Sequence, residues 1–348
     1  MRLENHDVLL DVLHLLLAKE LPTVALAGKF LSESVRFGKF VGVLAKPTKL
    51  YAIGGQRDVA DPDSSLNSVE VFDESHGAWN PIEPMSKSRA NPSAASASGK
   101  LYVIGGGGRN GEPEEGEVYN PVRKEWKQLT PLPRTFVQVM LAEARGSIYM
   151  MGLDNENVSG KPHCCIQIMR YVEEEARWER LCERYVPGGW IGSSRVIGLG
   201  DRIYIVAWGS GSGGTKGRGM VEAYDLTEKR WITLAPTTVR RSQHALTVCN
   251  GRIFCIGGVG PASETCERYD HETDRWERID ATLERFNVAA AECDGKLITV
   301  GGFGPRSIKG VTVETINVSS TGESKWSRGG LPPLNEARIG PALVGMAT

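Results

Sequence analysis

Charge of one sign is missing from this sequence. Lys and Arg number 41 against 42 Asp and Glu, the signs are interspersed, and the formal net charge is −1. A nucleic-acid groove needs a basic stripe and an anionic membrane draws a polybasic patch, so neither partner is expected. Aromatic residues are scarce, at 7% of 348. A long hydrophobic run is missing too. The apolar stretch over residues 8–18 contains Asp11 and His14, is too short for a membrane span, and carries no small-residue cleavage site. The seven cysteines are odd in number and scattered, with no C-x-x-C pair, which argues against a secreted disulfide framework. Reduced thiols and a cytoplasmic or nuclear location are expected.

Glycine is plentiful, with 41 residues, and its placement exposes a repeat. Lys-Leu-Tyr-Ala-Ile-Gly-Gly at 49–55 returns as Lys-Leu-Tyr-Val-Ile-Gly-Gly at 100–106. It returns again as Arg-Ile-Phe-Cys-Ile-Gly-Gly at 252–258 and Lys-Leu-Ile-Thr-Val-Gly-Gly at 296–302. Two worn copies, at 147–152 and 202–209, lie between them. A second signal keeps phase with the first. An aromatic precedes Trp by seven positions in Phe72/Trp79, Tyr119/Trp126, Tyr171/Trp178, Tyr224/Trp231 and Tyr269/Trp276. In the sixth copy Trp326 follows Ile316 with three extra residues between. A third signal is an Arg ahead of a small, apolar stretch: Arg89, Arg134, Arg241, Arg285 and Arg338.

Each element has a physical reading. The Lys-Leu-Tyr-Val-Ile runs are continuous rather than alternating, as expected of strands buried on both faces. Gly-Gly permits backbone angles and close approaches that a Cβ forbids. Asp270 can hydrogen-bond its own turn while Trp276 fills space between neighbouring sheets. The small-residue segments at 91–98 and 287–292 suit strands crowded near an axis.

Residues 49–346 resemble the kelch-repeat family. The resemblance implies an all-β fold, a six-bladed β-propeller in which each blade is a four-stranded antiparallel sheet. It also implies that one terminus completes the first blade. Residues 338–346 and 36–45 have similar character and compete for that slot, with the C-terminal strand favoured. Residues 7–31 resemble a worn F-box: Asp7, Val8, Leu9, Leu10, Asp11, Val12, Leu13, Leu16, Leu21, Val24 and Lys29 align with it without a gap. The motif's leading Leu-Pro is Asn5-His6 here, its middle Pro is Leu17, and its closing Trp is Leu31. A greasy helix pair packed under the propeller remains an alternative, as does a remnant of the helical region that precedes kelch domains in BTB-type adaptors. The expected organisation is a short α-helical, F-box-like segment over 1–34, a linker or extra strand over 35–48, and the propeller over 49–348.

Catalytic signals are weak. His163-Cys164-Cys165, with Cys182 beyond, fits no zinc spacing, and adjacent cysteines point apart on a strand, so a loop and strand edge is expected there. The glycine-rich run 209–219 lacks the Gly-Lys-Ser/Thr order and leads into a strand, so it reads as a long loop of blade four. Inner-strand segments consist mostly of Ala, Ser, Val and Gly, which leaves little for catalysis. No catalytic, cofactor or metal site is assigned, and the chain is read as a binding protein rather than an enzyme. A kelch-fold enzyme of small molecules, such as a sugar mutarotase or a metal-assisted lyase, stays as the minor alternative.

The kelch resemblance puts a protein substrate on the loops that follow Gly-Gly and the loops that lead into the inner strands. Arg57, Arg109 and Arg306 belong to the first set, and Arg89, Arg134, Arg241, Arg285 and Arg338 to the second. A planar guanidinium suits an acidic or phosphorylated segment, although a repeated Arg can equally brace its own blade. The F-box resemblance implies docking of a Skp-type adaptor through Asp7, Val8, Leu9, Val12, Leu13, Leu16 and Leu21, and through it a cullin–RING ubiquitin ligase. A stand-alone kelch scaffold for cytoskeleton or signalling is the other reading.

Overall fold

The computed structural model describes residues 49–73, 76–106, 115–158, 161–187, 194–207, 219–259, 263–279, 284–304, 310–317, 326–328 and 330–347. All lie in the second of the chain's two units, Lys46–Thr348. The expected N-terminal helices, the F-box-like segment and the linker lie outside the described residues.

The described residues form twenty-four strands in six antiparallel sheets of four. Blade one takes β1 (Lys49–Ile53), β2 (Val69–Asp73) and β3 (Ala78–Ile82). Blade two is β4 (Ser93–Ala97), β5 (Lys100–Ile104), β6 (Glu117–Asn120) and β7 (Glu125–Gln128). Blade three is β8 (Gln138–Ala144), β9 (Ser147–Val158), β10 (Lys161–Val172) and β11 (Arg177–Pro187). Blade four is β12 (Arg195–Leu199), β13 (Arg202–Ala207), β14 (Met220–Asp225) and β15 (Arg230–Leu234). Blade five is β16 (Ala245–Cys249), β17 (Arg252–Ile256), β18 (Cys266–Asp270) and β19 (Arg275–Ile279). Blade six is β20 (Phe286–Cys293), β21 (Lys296–Phe303), β22 (Val313–Asn317) and β23 (Trp326–Arg328). The last strand, β24 (Ala342–Met346), pairs with β1 in the register Lys49↔Met346 to Ile53↔Ala342. It is therefore the inner strand of blade one, and the C-terminal strand takes the slot for which two segments competed. The inner strands β24, β4, β8, β12, β16 and β20 neighbour one another in that order and return to β24, which closes the ring.

The repeat phrase is the second strand of each blade. Leu50, Tyr51, Ala52 and Ile53 are all buried, because sheets pack against both of their faces. The aromatic–Trp pairs lie directly across the two outer strands, with Phe72↔Trp79 and Tyr269↔Trp276 as examples. In those two pairs the ring centroids are 5.4 and 5.1 Å apart. Ile316 faces Trp326 in the same way, so the sixth copy keeps the pairing despite its insertion. Each of four indoles also donates its Nε1–H to a backbone carbonyl of the preceding blade's outgoing segment. These run from Trp79 to Pro332 at 3.0 Å, Trp126 to Glu83 at 2.8 Å, Trp178 to Thr130 at 3.0 Å and Trp276 to Ala235 at 2.9 Å. Trp231 uses the Cys182 sulfur instead, at 3.3 Å. One residue type thus packs within a blade and clasps its neighbour. Asp270 accepts from Glu272 N at 3.0 Å and Thr273 Oγ1 at 2.9 Å, fixing its turn as its sequence position suggests.

All seven cysteines are thiols, and Cys182 is the one that is not fully buried. Cys164 and Cys165 sit in β10, an interior strand of blade three, which corrects the expected loop and edge position. Burial pushes the Cys255 thiol up to about 12, and thiolate is the reactive form. Iodoacetamide at neutral pH is expected to label Cys182 in the native chain and the other six only on unfolding, as peptide mapping by mass spectrometry would read. Native labelling of Cys255 at the unfolded rate would contradict this packing.

Candidate protein-binding face

Strands of each blade alternate in direction, so the Gly-Gly connections and the segments leading into the inner strands meet on one face of the ring. The second glycine of a pair donates its N–H to the carbonyl of the Arg that leads into the next blade. The distances are 2.8 Å for Gly55 to Arg89, 3.0 Å for Gly258 to Arg285 and 3.1 Å for Gly302 to Arg338. Gly301 has φ +67°, and a Cβ there would lie 2.3 Å from the Arg338 carbonyl, so this approach requires glycine.

The side chain of the same Arg turns into its own blade. Arg241 donates through Nε and Nη2 to Glu267 at 2.9 and 2.7 Å, and through Nη1 to the carbonyls of Gly257 and Thr265 at 2.9 and 3.0 Å. Arg89 with Glu117 and Gly105, Arg285 with Glu314 and Gly301, and Arg338 with Glu70 and Gly54 repeat the arrangement. These four arginines are between 0% and 2% exposed. They are not surface contacts for a partner, contrary to their assignment from sequence. A guanidinium enclosed this way is held by its carboxylate and carbonyls, and its work is to fix the loop roots.

Blades five, six, one and two carry this clamp as a continuous arc, whereas blade three replaces it. Sixteen positions separate Arg89, Arg241 and Arg285 from the glycine whose carbonyl each caps, and the same count back from Gly152 reaches Phe136, not Arg134. Met169 stands where the other blades have Glu, two residues before the aromatic, and Phe136 and Met169 share one core cluster. Arg134 lies at the rim instead, paired with Asp154, its guanidinium 5.3 Å from the Phe136 ring centroid. In blade four, Glu222 is reached from the neighbouring blade by Arg184 at 2.8 and 3.3 Å.

Arg57 is exposed, and its guanidinium is engaged by Glu336 on the segment leading into β24. Burial of Glu336 opposes its ionisation, yet hydrogen bonds from Ser68 and Arg57 and the charge of Arg338 hold it below the usual carboxylate range. Arg109 and Arg306 lie outside the described residues, as do Asp7, Val8, Leu9, Val12, Leu13, Leu16 and Leu21. The glycine-rich run, read from sequence as a loop of blade four, lies outside the described residues over 209–218.

Two features of this face were not read from sequence. Blade three has no Gly-Gly to end its second strand, and β9, β10 and β11 run to 12, 12 and 11 residues against three to eight elsewhere. They extend past the rim on the loop side. Of the six large hydrophobic side chains that stand exposed among the described residues, five are on this face: Val59, Val137, Tyr185, Val259 and Phe303. Their exposure runs from 39% at Val259 to 58% at Val137. Val122, in the turn between β6 and β7, is the one on the opposite face.

Comparison with known proteins agrees with this architecture. The Kelch motif family matches residues 38–86, 88–133 and 240–280. Human Kelch-like protein 23 is 23% identical over 243 residues, covering 68% of this chain and 41% of that protein. Kelch-like protein 26 of Danio rerio is 24% identical over 246 residues, with 66% and 38% covered. Kelch-like protein 36 of Bos taurus is 25% identical over 221 residues, with 62% and 35% covered. The chain thus spans about two fifths of the length of the curated relatives it matches. Among solved structures, that of YjhT aligns with TM-score 0.59 at 15% identity, covering 82% of this chain and 98% of that one, a likeness of fold. The chain carries kelch motifs and folds as a six-bladed β-propeller.

Proposed function

We propose that the propeller is a protein-binding receptor whose partner docks on the loop face. The observation that carries the reading is the segregation of exposed apolar side chains: among the described residues, five stand on that face and one on the other. Scattered single hydrophobics need no explanation, but their concentration on one side marks an interaction surface. Support also comes from below the surface, where the buried Arg–Glu clamps hold the loop roots rigid while the loops themselves differ from blade to blade. A rigid scaffold with variable loops is the usual physical arrangement for recognition. The Kelch-like names of the relatives point the same way.

The finer reading is that the chain is a substrate receptor of an SCF-type cullin–RING ubiquitin ligase, with residues 7–31 docking the Skp-type adaptor. Affinity purification of the tagged chain, beside a deletion of residues 1–34 and a V259E/F303E variant, separates the levels. Adaptor and cullin should co-purify with the full chain and vanish with the deletion. Partners of the propeller should survive the deletion and fall on the order of tenfold in V259E/F303E, as burying a charge in an apolar contact demands. Capture unaltered in V259E/F303E removes the loop-face reading. Absence of adaptor from the full chain removes the ligase assignment and leaves a stand-alone scaffold.

A further inference from the structure

The loop-face ends of three adjacent inner strands hold polar groups without the partners their burial calls for. Gln138 opens β8, Ser194 and Arg195 stand at the start of β12, and His244 immediately precedes β16. Gln138 Nε2 and Arg195 Nη1 both donate to the Ser194 carbonyl, at 2.9 and 3.0 Å. Their remaining valences are open. Gln138 Oε1, Ser194 Oγ and both ring nitrogens of His244 are buried and make no hydrogen bond, and Ser194 and His244 are themselves fully enclosed. Buried polar atoms are satisfied in the great majority of cases, so this concentration calls for a ligand.

Arg195 differs from the four clamp arginines. Arg89, Arg241, Arg285 and Arg338 each hold a buried glutamate, whereas among the described residues no carboxylate lies within ion-pair distance of Arg195. It is half-buried, and desolvation lowers its pKa. His244 lies within electrostatic reach of it. Burial, then the charges of Arg195 and Arg241, hold that imidazole well below its ordinary pKa and so neutral. A guanidinium lacking its counter-ion, a hydroxyl and an imidazole N–H make a donor set for a planar anion. Gln138 Oε1 is the acceptor beside them, suited to an N–H on the same ligand.

We propose that Arg195, Ser194 and His244 form a carboxylate-binding site, with Gln138 accepting an N–H from the same molecule. A carboxylate accompanied by an amide N–H is the chemistry of an acidic residue in a peptide, so the occupant is an Asp or Glu side chain of the bound protein. That source rests on the protein-binding reading, whereas the site itself does not.

The test follows the His244 imidazole nitrogens by NMR in the full chain, assigned with His244→Gln. The probes are Ac-Gly-Glu-Gly-NH2, Ac-Gly-Gln-Gly-NH2 and sodium acetate. The glutamyl peptide should give saturating shifts and the glutaminyl peptide none. Affinity should fall on the order of tenfold or more in Arg195→Gln, the loss typical of a hydrogen bond to a charged group. If that variant does not fold, Arg195→Lys keeps the charge without the fork and should still weaken binding. Acetate binding as tightly as the peptide would overturn the peptide source in favour of a free small acid. No shift with any carboxylate, or binding indifferent to both Arg195 variants, would overturn the site. Since V259E/F303E tests partner docking and this titration tests the site, either can fail without the other.

Discussion

Truncation after Pro341 is expected to abolish cooperative unfolding of the propeller. It removes β24, which supplies the inner strand of blade one and lies between β20 and β4 around the axis. Leu343, Val344 and Met346 are all buried, and burying such side chains contributes roughly 1.5–3 kcal/mol each. Three of them approach the roughly 5–15 kcal/mol that separates a whole domain from its unfolded state. The loss falls also on β1, which forfeits its register from Lys49↔Met346 to Ile53↔Ala342, and on the ring as a closed unit. Urea unfolding followed by tryptophan fluorescence reads the effect. A truncated chain that unfolds in one sharp transition within about 1 kcal/mol of the full chain would contradict the role of β24.

Arg241→Met should cost about 3–5 kcal/mol, because it leaves Glu267 enclosed without its cation. Both side chains are wholly buried, and Glu267 would keep only its bond from Thr238 N at 2.8 Å. The carbonyls of Gly257 and Thr265 would each lose the Arg241 donor as well, with Thr265 retaining the Gly257 N–H at 3.0 Å. Arg57→Ala is the contrast: its pair with Glu336 is exposed on the Arg side, and such pairs contribute about 0–1 kcal/mol. Blade three supplies a further comparison, since Phe136 and Met169 fill the clamp position without charge. Arg241→Phe combined with Glu267→Met should therefore lose less stability than Arg241→Met alone, by the logic of replacing a buried ion pair with apolar residues. Chemical denaturation of the three variants measures this, and a double variant worse than the single would refute it.

The clamp also shows how far the site could be read from sequence. The in-phase arginines were visible, and so was the choice between bracing a blade and touching a partner. What decides it is a second signal that was legible but not read: Glu70, Glu117, Glu222, Glu267 and Glu314 each stand two residues before the aromatic or its replacement. Five in-phase glutamates beside in-phase arginines imply buried pairs. Arg134 was aligned with the others by its approach to the next strand, and the offset of two residues that makes Phe136 its equivalent appears only when counted back from Gly152. The apolar character of the loop face was beyond reach, since Val259 and Phe303 follow Gly-Gly in the same strand pattern as buried residues and nothing local distinguishes them.

The sequence by itself determined the number of blades, the strand that follows each repeat phrase, the aromatic–Trp pairing and the thiol state of the cysteines. Those properties are local: a continuous β-branched run, a Gly-Gly and a seven-residue spacing each act within one hairpin, and repetition multiplies them six times. Only the tertiary structure decided that the C-terminal strand closes the ring, that four arginines are enclosed, and that Arg195 has no carboxylate partner among the described residues. Each of these depends on contacts between residues far apart in the chain, such as Arg338 with Glu70 or Lys49 with Met346. Whether a charge is paired or open is settled by which strand ends meet at the axis, and that meeting exists only once the ring has closed.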